Sequence, residues 1–276
     1  MALVAVGQLT STASMAHNLR QCQVLVTKAV RAGARVLFLP EAADYIAASS
    51  EETVALVKPA SESEFVLGLR EEARRFSLAI HVGVHEPGLL DARKVRNTVL
   101  WIDESGDIAQ RYQKIHLFDV DIKGGPVLKE SNSVEPGSQI LPPFDTSLGK
   151  VASAICFDLR FPEISIALRR QGADIITFPS AFTVPTGKAH WETLLRARAI
   201  ETQSYVIAAA QVGKHNEKRV SYGHSMIVDP WGVVLADLGD QNTEPEIATA
   251  EIDHELLSRI RREVPLARRT DIYPEV

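Results

Sequence analysis

Gly33-Ala34-Arg35-Val36-Leu37-Phe38-Leu39-Pro40 has a counterpart later in the chain, Gly172-Ala173-Asp174-Ile175-Ile176-Thr177-Phe178-Pro179. Each octet holds an apolar run of strand length closed by a proline, which has no N–H to offer a ladder and so ends the strand. Working outward, the surroundings match too. Each octet follows an amphipathic helical stretch, Met15 to Arg31 and Pro162 to Gln171, and each helix follows a short apolar strand, Leu3 to Leu9 and Val151 to Cys156. After each proline comes a second helical stretch, near Glu62 to Phe76 and Ala189 to Gln203, and then another apolar strand, Leu78 to Val84 and Tyr205 to Gln211.

Both halves end in a hairpin. One runs Asn97 to Ile102, turns at Glu104-Ser105-Gly106 and returns through Ile108 to Tyr112. The other runs Ser225 to Val228, turns at Asp229-Pro230-Trp231-Gly232 and returns through Val233 to Ala236. Short loops containing Gly or Pro suit such connections. A sheet carrying its helices on one face leaves the other face apolar, and a second half can cover it sheet on sheet. The expected fold is α/β, a four-layer α-β-β-α sandwich with a pseudo-twofold internal repeat, residues 1–276 folding as one domain. A doubly wound three-layer sheet is the alternative, because alternation of strands and helices fits both.

Hydrophobic residues make up 45% and charged residues 24% of the 276, the balance of an ordinary globular protein. The formal net charge of −5 argues against a general nucleic-acid binder, since no basic run is dense enough to track phosphates. The basic cluster from Arg259 to Arg269 is broken by Glu263 and Pro265 and reads as a solvated terminal face. The only cysteines, Cys22 and Cys156, form no disulfide framework and point to a reducing compartment. No apolar stretch reaches the roughly 18 to 20 residues that span a bilayer. The N-terminus lacks a secretory signal pattern, so the expected location is cytoplasmic, or an organelle if a presequence was removed.

Pro40 places Glu41 just beyond the carboxyl end of one strand, and Cys156 lies just beyond another, where α/β proteins form ligand crevices. Alone, Glu41 reads as a cap or a solvated charge, Lys114 as a surface lysine and Cys156 as a small core residue. Together they supply an acyl-transfer site. A thiol needs a base to become the attacking thiolate, and Glu41 can take the proton if apolar surroundings raise its pKa. Lys114 and the backbone N–H after Cys156, that of Phe157, can stabilise the oxyanion. Spacing alone does not establish that the three meet.

Three segments carry a resemblance: Leu37-Phe38-Leu39-Pro40-Glu41, Tyr112-Gln113-Lys114-Ile115-His116-Leu117-Phe118, and Ala154-Ile155-Cys156-Phe157-Asp158-Leu159-Arg160-Phe161-Pro162-Glu163. They resemble the three signatures of the nitrilase superfamily, in order, and the likeness runs on to Tyr273. The resemblance implies a general base at Glu41, an oxyanion-supporting lysine at Lys114, a nucleophile at Cys156, and a second glutamate at Glu130 that positions the lysine. It also implies the α-β-β-α fold, no cofactor or metal, and a homodimer.

Within the superfamily, His116 to Asp121, Gly125 to Ser131, Phe178 to Thr183 and Thr186 to Glu192 resemble the Nit branch, specifically the amidases of deaminated glutathione. That implies hydrolysis to 2-oxoglutarate and cysteinylglycine. The related ω-amidases act on 2-oxoglutaramate and tend to carry Tyr-Pro-Gly-Ala-Phe-Asn where this chain has Phe178 to Thr183. N-carbamoyl amide hydrolysis is a further enzyme alternative, and a catalytically silent scaffold the non-enzyme one.

Both keto-acid substrates present a carboxylate. Arg160 is the expected anchor, unless it pairs with Glu163 or Asp158 within its helical turn. Phe182 and Thr183 are expected against the acyl chain, with core packing the competing role for Phe182. His81 and His85 share a strand face but sit roughly 13 Å apart, too far for one metal. His116 is expected as a hydrogen-bonded support beside the lysine. His190 and Trp191 rim the pocket or pack, and Cys22, on the first helix, is buried and inert.

Overall fold

Alternate residues of a strand face opposite sides of its sheet, and the short central strands here are apolar on both. The computed structural model describes residues 1–121 and 127–274, so Gly125 and Pro126 of the Gly125 to Ser131 stretch lie outside the described residues. In the Ala2–Gln8 strand, Val4 and Val6 enter one core and Ala5 another; in Val36–Phe38, the outer two residues part from Leu37 in the same way. Ile175 and Ile176 divide likewise in the second half.

Three cores result. One lies between the first sheet and helices on its outer face: α1 (Met15–Ala32) contributes Cys22, Leu25 and Val26, and α3 (Glu64–Phe76), which follows the short α2 (Ser50–Leu56), contributes Phe65 and Leu69. Another lies between the second sheet and α4 (Pro162–Arg170) and α5 (Val184–Thr202), with Leu168, Trp191 and Leu195. The third is shared by the two sheets. There Val4, Val36, Phe38 and Ala79 meet Val151, Ile175, Tyr205 and Ile207. Full burial of such side chains contributes roughly 1.5–3 kcal/mol each. A doubly wound sheet would carry helices on both faces. Here one face of each sheet carries the other sheet, so the order is α-β-β-α.

The repeat extends to strand order. The first sheet runs Glu246–Ile252, Ala2–Gln8, Val36–Phe38, Ala79–Pro87, Val95–Ile102, Ile108–Gln113, and the second Phe144–Thr146, Gly149–Ser153, Ile175–Thr177, Tyr205–Ala208, Met226–Val228, Val234–Asp237. In each, three parallel strands are flanked by antiparallel ones. The Gly that opens each octet ends a helix rather than starting a strand. Gly33 and Gly172 take left-handed φ of 79° and 96°, the conformation that closes a helix and that glycine adopts without a Cβ penalty.

The edge strand Glu246–Ile252, which lies outside the expected repeat, pairs antiparallel with Ala2–Gln8. The basic cluster from Arg259 to Arg269 is not all solvated. Helix α6 (His254–Glu263), capped by Asp253, buries Leu257 and Ile260. Arg261 on its inner side donates to Asp174 Oδ1 at 2.9 Å and Ala173 O at 2.7 Å. Only part of the cluster is therefore a solvated face. Among the described residues no helix is long and apolar enough to cross a membrane.

Gly83 marks where the fold meets the site. Its N–H donates to Pro40 O at 3.0 Å and its O accepts from Ala43 N at 2.9 Å. A Cβ there would lie 2.5 Å from Glu41 Cα and 2.8 Å from Pro40 O. Both are backbone atoms that cannot swing aside. Gly83→Ala should therefore destabilise the protein by about 1–3 kcal/mol and lower its activity by moving Glu41. Urea denaturation with activity assays checks this, and wild-type values for both would refute it.

Candidate active site

Cys156 follows the Gly149–Ser153 strand, and its N–H donates to Pro179 O at 3.0 Å. Its φ of 47° is left-handed, a conformation that costs a non-glycine residue about 1 kcal/mol or more. The chain turns there into the 3-10 segment Cys156–Arg160. Among the described residues, the Phe157 N–H has no acceptor. Glu41 is set by different means. Pro40 ends its strand, Ala42 turns at φ 52°, and Gln211 Nε2 donates to Glu41 O at 3.0 Å and Ala42 O at 3.3 Å. Lys114, just past Ile108–Gln113, is fixed by its own backbone: its N donates to Asn97 O at 2.9 Å and its O accepts from Gly137 N at 2.7 Å.

The three side chains share one cavity of about 360 Å³ together with Glu130. Lys114 Nζ lies 2.9 Å from Glu41 Oε1, and 3.1 and 2.9 Å from the two oxygens of Glu130. Asn97 Nδ2 donates to the same two carboxylates, at 2.7 Å to Glu41 and 3.1 Å to Glu130, and Phe118 N completes the second at 2.6 Å. Lys114 is 2% exposed and Glu41 3%, so the ammonium has exchanged water for carboxylates. The other oxygen of Glu41, Oε2, is in no formed hydrogen bond, and the Cys156 thiol is close enough to interact with that carboxylate.

Burial on its own would raise the Glu41 carboxyl. Burial is the largest single influence, but the Lys114 ammonium, the neighbouring Cys156 thiol, the hydrogen bond from Lys114 and the charge of Arg219 together outweigh it and hold Glu41 below the ordinary carboxylate range. The expectation that apolar surroundings raise its pKa is therefore corrected: the ion pair wins. Burial would likewise lower Lys114, but Glu130 and then Glu41 hold it well above the usual lysine value. Burial, followed by the charge of Glu41, pushes the Cys156 thiol up, with Lys114 opposing. At neutral pH the resting site is a neutral thiol beside a carboxylate and an ammonium. Such a site can attack a carbonyl only if the thiol hands its proton to Glu41 as it bonds.

Arg160, Phe182 and Thr183 do not line this cavity. The Arg160 guanidinium lies over the rings of Phe157 and Phe182, 5.7 and 5.6 Å from their centroids, and its Nη2 is 3.2 Å from His190 Nδ1. Phe182 packs on Trp191, their centroids 4.7 Å apart, and Thr183 precedes α5 with its hydroxyl 2.8 Å from that of Thr186. Asp158 is taken by other partners: Tyr112 Oη at 2.7 Å, Ile155 N at 3.0 Å, and His116 through its N at 3.0 Å and Nδ1 at 2.9 Å. His116 also stacks on Phe161. Its partners are thus Asp158 and Phe161 rather than the lysine. Cys22 is fully buried, and burial pushes its thiol up.

Several residues of the site escaped the sequence reading: Asn97, Gln211, Arg219, and His85, which lines the cavity with its Nδ1 held by Asp44 at 2.9 Å. Asn97 and His85 left the only local trace, as buried or half-buried polar residues within strands whose neighbours are largely apolar. Among the described residues no cluster of His, Cys, Asp or Glu could hold a metal.

Fold and site together define a four-layer sandwich with a thiol, an ammonium and two carboxylates gathered at the strand ends. The chain belongs to the carbon-nitrogen hydrolase family, whose model matches residues 3–262, and is a hydrolase of carbon–nitrogen bonds. It is 52% identical to the nit2 protein of Schizosaccharomyces pombe over 277 residues, the match covering 100% of both chains. It is 46% identical to the human deaminated glutathione amidase, over 98% of this chain and 83% of that one. The crystal structure of the Caenorhabditis elegans NitFhit protein is similar at a TM-score of 0.91 and 41% identity, covering 99% of this chain and 67% of that one.

Two outcomes follow from the electrostatics. Because Glu41 is held low, its base form persists into acid, and kcat/KM should fall only below the ordinary carboxylate range. Because the thiol is held high, kcat/KM should not rise through the ordinary thiol range near pH 8.5. A pH profile showing such a rise would contradict the neutral-thiol resting state. Asp158→Ala leaves buried donors of Tyr112, Ile155 and His116 unmatched, and should cost about 3 kcal/mol in chemical denaturation. A loss under about 0.5 kcal/mol, the range of a neutral surface change, would show that those bonds do not hold the turn.

Proposed function

We propose that this chain is an amidase that hydrolyses deaminated glutathione to 2-oxoglutarate and cysteinylglycine, through a thioester on Cys156. The observation that carries the catalytic reading is the Lys114 ammonium, 2.9 Å from both Glu41 and Glu130 and in one cavity with the sulfur. The substrate reading is supported by likeness to a relative named for that activity.

Cys156 Sγ attacks the amide carbon as its proton passes to Glu41. The carbonyl oxygen, now an oxyanion, is met by the Lys114 ammonium and the Phe157 N–H. Glu41 returns the proton to the nitrogen, the carbon–nitrogen bond breaks, and the amine departs. Glu41 then takes a proton from water as its oxygen attacks the thioester, and the thiol leaves with that proton. Glu130 does not touch the reacting atoms. It holds Lys114 in place and, with Glu41, keeps it charged. Lys114 is thus spent twice, as anchor and as electrophile, which explains why one buried cation needs two carboxylates. The chain works as one domain, residues 1–276, and pairs as a homodimer in a cytoplasmic or organellar compartment.

Hydrolysis of deaminated glutathione and of 2-oxoglutaramate by the wild type and by Cys156→Ala tests the reading. The first substrate should be preferred and the variant inactive on both. A preference for 2-oxoglutaramate would make the enzyme an ω-amidase, leaving the chemistry intact. A fully active variant, or alkylation of Cys22 before Cys156, would remove the chemistry too and favour the scaffold.

A further inference from the structure

We propose that Arg219 is the specificity residue of this site and anchors a carboxylate on the acyl half of the substrate. This rests on the amidase reading above and assigns a charge to the part of the substrate that stays on the sulfur. Arg219 opens the second strand of the hairpin formed by Val212–Asn216 and Arg219–Tyr222, and its side chain lines the cavity that holds Glu41, Lys114 and Cys156.

The hairpin is rigidly mounted. His215 Nδ1 lies 2.8 Å from Ser11 O and its Nε2 2.7 Å from Ser221 Oγ. Burial, then the charge of Arg219, holds His215 down to about 4, so at neutral pH it donates to Ser11 and accepts from Ser221. Asn216 Nδ2 donates to Ala47 O at 3.3 Å. The Ser221 bond braces the hairpin across its two strands, the Ser11 bond ties it to the segment after the first strand and the Ala47 bond to the loop beyond Glu41, and a guanidinium on a fixed element presents a geometrically defined fork to a carboxylate.

The charges leave Arg219 available. Lys114 is consumed by Glu41 and Glu130. Lys129 and Lys218, at the same cavity, are exposed and hydrated, while Arg219 is half-buried. Among the described residues Arg219 has no ion-pair partner. Its charge nonetheless reaches Glu41, so it stands near the reacting centre. The cavity lining thus holds four cations against two carboxylates, an imbalance that an anionic ligand corrects. Arg160, the anchor expected from sequence, is also near enough for its charge to reach Cys156, but it has a histidine partner and two aromatic neighbours and lies outside that lining.

The test uses glutaramate and valeramide, amides of equal chain length that both release ammonia and differ in the distal carboxylate. Arg219→Gln should lower the kcat/KM preference for glutaramate over valeramide by roughly 10- to 100-fold, the loss of one charge-assisted pair, chiefly through KM. Arg219→Lys, which keeps the charge without the fork, should recover part of it. Glutarate should shield Cys156 of the wild type from iodoacetamide and shield the Gln variant less by a similar factor. An unchanged preference overturns the proposal. So does an equal loss on both amides, which would place Arg219 on Glu41 rather than on substrate. If Arg219→Gln does not fold, Arg219→Lys and the glutarate protection carry the same comparison. Should the wild type hydrolyse neither keto-acid amide, the substrate reading falls while this comparison still reads Arg219.

Discussion

A single buried ammonium organises this protein's chemistry. Lys114 is fully enclosed, and an isolated charge there would cost several kcal/mol to desolvate. Two carboxylates, an asparagine and a backbone N–H make that burial tolerable: Glu41 and Glu130 hold the ammonium, and Asn97 and Phe118 hold the glutamates. The arrangement fixes three protonation states together. It favours the charged lysine, the ionised Glu41 carboxylate and the neutral form of the neighbouring thiol. Stability follows the same signs. The contribution of Glu41, whose pKa is lowered, is present above the unfolded value and lost as pH falls through the folded one. That of Lys114, whose pKa is raised, is present below its unfolded value and lost only as pH rises through the folded one.

No local segment could create this contact. Glu41 and Lys114 belong to the first half and Cys156 to the second, and the apolar faces of the two sheets bring them together. Because both halves repeat one strand order, their carboxyl ends open at one rim, and each half supplies part of the chemistry there. Gln211 crosses that rim. It donates to the Glu41 carbonyl, and the side chain of Ser11 accepts from it at 2.7 Å. Such fully buried polar links are strong only when every partner is satisfied, and they translate sheet packing into the position of the Glu41 carboxylate. The left-handed Cys156 adds local strain, held by Asp158 and its four hydrogen bonds. It leaves the Phe157 N–H without a partner beside the sulfur.

Much of the fold was legible because the signals are local. The repeated octets, the glycines that close helices, the prolines that close strands and the alternating apolar strands each follow from backbone sterics and side-chain period. Glu41, Lys114, Glu130 and Cys156 were legible as residue types in recognisable segments. The strand Glu246–Ile252 was missed although it alternates, because its partner is the first strand of the chain and nothing near it in sequence indicates the pairing. Arg261 reads as a solvated charge in sequence because its partners, Asp174 and Ala173, lie far away along the chain.

The sequence by itself determined the two-half architecture and which titratable residue types stand at the strand ends, since both are written in short-range patterns. Only the tertiary structure decided their environment. It set the direction of the Glu41 shift, which burial and an ion pair push in opposite senses, and it turned Arg160 onto aromatic rings while lining the cavity with Arg219. Those outcomes depend on distances between residues far apart along the chain, and electrostatic energy varies with distance and burial, which no residue's sequence position records.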